Sequence, residues 1–81
     1  MLSCDQYDYI EIACLYHYAI TLTLVSGEVI SGTALDTARN EARAECIKLA
    51  VGDGERLLPL ASLTHMTAAQ PNPHFTQVDF D

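Results

Sequence analysis

Ala19-Ile-Thr-Leu-Thr-Leu24 is the stretch whose reading decides the fold. Ile20, Leu22 and Leu24 fall on one side of an extended chain and Thr21 and Thr23 on the other, the period-two alternation of a half-buried strand. Ser26-Gly27-Glu28 follows as a tight turn, and residues 28–35 return as a second strand. Gly32 inside that strand predicts a bend or bulge, the device by which a small sheet curls on itself.

The same pattern continues outward. Residues 44–51 alternate with Ile47, Leu49 and Val51 on one side, and Gly52-Asp53-Gly54 is a hairpin signal. Residues 55–60 read as a fourth strand, with Pro59 placing it at an edge or at the end of a ladder. Residues 61–66 form a fifth, short element, and residues 36–43 read as a polar connection with some helical character. Pro71-Asn72-Pro73 breaks the chain, after which residues 74–80 alternate weakly and suggest a last edge strand.

Ahead of the strands lies Ser3-Cys-Asp-Gln-Tyr-Asp-Tyr-Ile-Glu-Ile-Ala-Cys14. Asp5, Asp8 and Glu11 recur every third residue, and on a helix such residues are surface neighbours. The opposite side carries Tyr9, Ile10, Ala13 and Cys14, while Ile12 and Leu15 fall among the acids, so packing on more than one side is expected. Ser3 with Gln6, or Asp8 with Glu11, can each form a capping box, leaving two possible helix starts. The expected fold is mainly β: an N-terminal helix over about 5–16 and a small, strongly bent, Sm-like or OB-like open barrel of about five to seven strands. The barrel is placed at about 19–66, with a C-terminal extension at about 67–81, all in a single domain.

With 81 residues, 49% hydrophobic and 19% charged, the chain has the composition of a small folded unit and not of a disordered acidic tail. Four basic residues stand against eleven acidic ones, for a net charge of -7. Nucleic-acid binding depends on Lys and Arg neutralising phosphates, so direct binding is not expected, whereas a basic protein partner fits. No stretch is both long and apolar enough to span a bilayer, and the N-terminus lacks signal-peptide character, so a cytoplasmic, monomeric protein is expected. Cys4, Cys14 and Cys46 show no paired spacing and read as free thiols, with Cys14 and Cys46 buried.

Each chemical reading competes with a plainer one. A solvated helix face explains the acidic triplet without a partner, but Tyr7 beside it favours recognition. Cys14 and His17 have a spacing zinc can use, with Cys4, His65 and His74 as further conceivable ligands. Structural zinc sites show two paired motifs, and a core cysteine beside a helix-end histidine explains this pair. A Cys14 nucleophile would need an electropositive setting, and its neighbours are acidic. No cofactor, metal or catalytic activity is therefore expected. Arg39, Asn40 and Arg43 are the one weakly basic stretch, either a soluble loop or a second contact.

Cys4-Asp-Gln-Tyr-Asp-Tyr-Ile-Glu-Ile-Ala-Cys14 closely resembles the Rof (YaeO) family of Rho-binding antiterminators. The shared pattern, Cys-Asp-x-Tyr-Asp-x-x-Glu-x-Ala-Cys, fixes seven positions in eleven. The likeness continues through Ala19-Ile-Thr-Leu-Thr-Leu24, Gly27-Glu28 and the Leu-rich segment ending near Leu63, up to about Met66. The resemblance implies a helix on a Sm-like barrel that binds the N-terminal, RNA-binding part of the termination factor Rho. There it would block the primary RNA site, competing with RNA and suppressing termination. Tyr7, Asp8 and Glu11, with Asp5, would be the contact residues. Residues 36–43 depart from the family's spacing, so no contact is carried over to Arg39 or Asn40. A ring-forming Sm-like RNA-binding module is the alternative function, and a small cysteine- or metal-dependent enzyme the third.

Overall fold

In the computed structural model, which describes residues 2–80, the helix α1 spans Cys4–Leu15 and six strands follow. Ser3 is its N-cap: Ser3 Oγ accepts from the Gln6 amide at 3.2 Å, and Gln6 Oε1 accepts from the Ser3 amide at 2.9 Å. This reciprocal pair selects the first of the two possible starts. Ile10, Ala13 and Cys14 face inward and are buried, and Tyr9 and Ile12 are half-buried against the same core. Leu15 remains 71% exposed.

The helix ends in a left-handed residue. His17 adopts φ 52°, its amide donates to Cys14 at 3.2 Å, and the Tyr18 amide reaches back to Ala13 at 3.0 Å. This is the Schellman arrangement, usually built on glycine. The His17 ring compensates by donating from Nδ1 to the Ala34 carbonyl at 3.0 Å, which fastens the helix end to the sheet.

The strands are β1 (Ala19–Leu24), β2 (Val29–Arg39), β3 (Glu45–Val51), β4 (Gly54–Pro59), β5 (Leu63–Ala68) and β6 (Gln77–Asp79). They form one antiparallel sheet in the order β4-β3-β2-β1-β5-β6. The two ends of that order do not pair with each other, so the curled sheet is an open barrel. β4, carrying Pro59 as its last residue, is an edge strand. Ile20, Leu22, Ile47, Leu49 and Met66 fill the interior and are almost fully buried.

Several boundaries differ from the sequence reading. Residues 36–39 are not a helical connection: β2 runs on to Arg39 and pairs with β3 as far as Arg39 opposite Glu45. The irregular register falls between Ala34 and Asp36, not at Gly32. The extra residue flips the alternation and makes the distal half of β2 look like a polar loop in sequence. Gly32 serves a different purpose. A Cβ there would run into the Ala50 carbonyl oxygen and lie 2.9 Å from Leu49, so only glycine lets β3 fold this closely over β2. Residues 61–66 are not one element; a 3-10 turn at Leu60–Ser62 precedes β5.

Residues beyond Met66 carry core side chains. Phe75, Val78 and Phe80 are buried, and β6 pairs with β5. The Phe75 ring meets Tyr9 edge-on at 5.8 Å and Tyr18 at 6.0 Å, clamping the segment after Pro73 beneath the helix.

Candidate partner-docking surface

Helical geometry sets the spread of the acidic triplet. Three residues turn a helix by about 300°, so successive members slew by about 60°. Asp5 and Glu11 thus lie about 120° apart, with Asp8 between them. All three are exposed, and Tyr7, four residues before Glu11, is half-buried. Asp8 and Glu11 look onto one shallow hollow of about 720 Å³, lined also by Ile12, Leu15, Leu35 and Asp36. Asp8 borders a second hollow of about 650 Å³, whose walls include Leu2, Cys4, Tyr7, Pro59, Leu60 and Ala61. Asp5 lines neither hollow. Of the four expected contact residues, Tyr7, Asp8 and Glu11 are brought together and Asp5 stands apart.

Two carboxylates that the sequence did not assign to this surface arrive through strand pairing. Asp36 joins Asp8 and Glu11 at the first hollow because β2 lies under α1. Glu45, the first residue of β3, stands beside Tyr7. It pushes the Tyr7 phenol above its ordinary pKa, chiefly by hydrogen bonding, with burial next and the Glu45 charge after that. A Thr37 hydrogen bond works in the opposite direction, and Glu11 adds to the rise. Only the register Arg39 opposite Glu45 reveals Glu45 as part of the surface, and that register cannot be read from spacing.

Two of the four basic residues are engaged by carboxylates. Arg39 lies 3.6 Å from Glu45 and donates to the Arg43 carbonyl at 2.9 Å. Arg56 pairs with Glu28 at 3.1 Å across the sheet. The loop between β2 and β3 is closed locally: Asn40 Oδ1 accepts from the Ala44 amide at 3.0 Å. Arg39 and Asn40 of the weakly basic stretch are thereby turned back on the domain itself.

Cys14 and Cys46 are buried free thiols, and Cys4 is an exposed one. Burial pushes the Cys14 thiol up to about 11, with Asp36 and then Glu11 adding to the rise. At neutral pH it is a core thiol and a poor nucleophile. Cys14 and His17 do not converge with other donors; among the described residues no three His, Cys, Asp or Glu side chains are grouped to hold a metal.

Comparison with known proteins points to one family. The sequence profile of the family described as "Modulator of Rho-dependent transcription termination (ROF)" matches residues 1–80. The proteins named rof of Escherichia coli K12 and of Shigella flexneri are each 32% identical over 66 residues, covering 79% of both chains. A solved structure described as YaeO bound to magnesium, from Vibrio cholerae O395, superposes with a TM-score of 0.90 at 45% identity. That match covers 93% of this chain and 97% of the other.

Proposed function

Since the chain belongs to the Rof family of modulators of Rho-dependent transcription termination, we propose that it binds the N-terminal RNA-binding domain of Rho and blocks the primary RNA site. The observation that carries this reading is the clustering of Tyr7, Asp8, Glu11, Asp36 and Glu45 around the helix. A site that grips RNA must present Lys and Arg. Preformed carboxylates compete for those side chains, and the pairs gain strength where the interface excludes water. Tyr7 supplies an aromatic contact at the centre of the cluster. Binding occludes RNA without any chemical step, and the free protein is a monomer kept apart by its charge.

The ring-forming RNA-module reading needs a basic face. Arg39 and Arg56 are each engaged by a carboxylate, which favours the inhibitor reading over it.

The test is a titration into Rho bound to a labelled cytosine-rich RNA, followed by fluorescence anisotropy at two salt concentrations. RNA release that weakens as salt rises supports the acidic-surface mechanism. Unchanged anisotropy with a folded protein rejects occlusion of the primary site.

A further inference from the structure

The second hollow differs chemically from the acidic one. Its walls are Leu2, Cys4, Tyr7, Pro59, Leu60 and Ala61, contributed by the helix start and by the 3-10 turn after β4. Two carboxylates stand at its border, Asp8 on the helix and Glu45 on β3. Arg39, the one cation at this border among the described residues, leans on Glu45 at 3.6 Å, and both side chains remain half exposed. A carboxylate already holding a guanidinium in water shows what the position accepts. An apolar floor of about 650 Å³ is roomy enough for a large aliphatic or aromatic side chain.

We infer that this groove is an anchor pocket. It takes a bulky apolar side chain of the partner that is flanked by a Lys or Arg, the cation pairing with Asp8 or exchanging with Arg39 on Glu45. This inference rests on the proposed binding to Rho and names the kind of partner segment the surface accepts. Charge complementarity fixes the occupant. A wholly basic segment would leave Leu2, Pro59 and Ala61 unused, and a wholly apolar one would strand Asp8 and Glu45 in a dry interface. Steering and anchoring are thereby divided: Asp8, Glu11 and Asp36 attract from a distance, and the groove excludes water once the partner has docked.

Cys4 makes the groove directly observable, because it lines the pocket and is exposed whereas Cys14 and Cys46 are buried. The experiment measures alkylation of Cys4 in the full chain, free and with saturating Rho. Groove occupancy slows alkylation by about tenfold or more; an unchanged rate in the bound complex overturns the inference. Ala61→Phe fills the groove from an exposed turn without altering charge. It is expected to weaken Rho binding by about tenfold at both low and high salt, because the lost contact is not ionic. Normal binding by folded Ala61→Phe, with Asp8→Lys still defective, sinks the pocket and leaves the proposed function standing. Wild-type protein that fails to bind Rho at all sinks the proposed function itself. Circular dichroism and urea unfolding of Ala61→Phe separate a blocked groove from a damaged fold.

Discussion

The side-chain amide of Gln6 donates to the backbone carbonyl of Asp79 at 2.8 Å, across 73 residues of sequence. The same side chain closes the capping box on Ser3 through its oxygen. One residue therefore starts the helix and ties it to the last strand. Replacing it removes both bonds. Gln6→Ala is expected to lower stability by about 1–2 kcal/mol, read from urea unfolding. If the loss equals that of an exposed surface substitution, the tie contributes nothing.

Asp8→Lys and Glu11→Lys are expected to weaken binding to Rho by roughly 30-fold or more while leaving the far-ultraviolet spectrum unchanged. Asp5→Lys should have a smaller effect, since Asp5 lines neither hollow. Anisotropy competition ranks the three. Equal loss at all three positions would mean that net charge, and not the placement of the carboxylates, governs binding.

Gly32→Ala should destabilise the fold by about 3 kcal/mol or more, because the added methyl meets a backbone carbonyl that has no room to retreat. A thermal unfolding midpoint within a degree or two of wild type would contradict this account of the β2–β3 crossing.

Asp79 supplies a pH dependence. Its carboxyl is held below the ordinary range, first by the hydrogen bond from His65 and next by that from Gln77. Folding thus favours the carboxylate. The contribution is present above about pH 4 and is lost as pH falls through the lowered value. Urea midpoints of wild type and Asp79→Asn should differ at about pH 6 and converge once the pH falls below the lowered value. A constant gap would show that the pair is uncoupled from folding.

Thiol titration gives the opposite sign. With its pKa raised to about 11, Cys14 favours the folded state while it stays protonated. That contribution is whole below about pH 8.5 and declines as pH rises toward about 11. At neutral pH a disulfide reagent should modify Cys4 alone in the native chain, and all three cysteines in urea. Rapid native modification of Cys14 would mean the core opens there.

Much of this architecture can be read from residues alone. The alternation over Ala19–Leu24 gives β1 with its true ends, and Gly52 and Asp53 give the β3–β4 turn. What could not be read depends on register. The irregularity between Ala34 and Asp36 inverts which residues face inward, so Asp36 and Arg39 look like loop residues although both lie in β2. At the docking surface, the three-residue spacing exposes Asp8 and Glu11 because a helix makes local spacing spatial. Glu45 and Asp36 join them through tertiary packing, which no local pattern encodes. The core role of Phe75, Val78 and Phe80 was hidden for the same reason: the Pro71 and Pro73 break separates them from Tyr9, Tyr18 and β5, against which they pack or pair.

The bond between Gln6 and Asp79 also places the protein's competence in time. At ordinary synthesis rates of 5–20 residues per second, roughly 4–15 s separate the emergence of the two residues. Until β6 arrives, the start of the helix has only its own capping box, while its far end is already held to β2 through His17 and the Ala34 carbonyl. The acidic face is made before the strand that ties down its leading end. A nascent chain still lacking residues 77–79 carries every carboxylate of the docking surface, but on a helix whose start is not yet tied to the last strand.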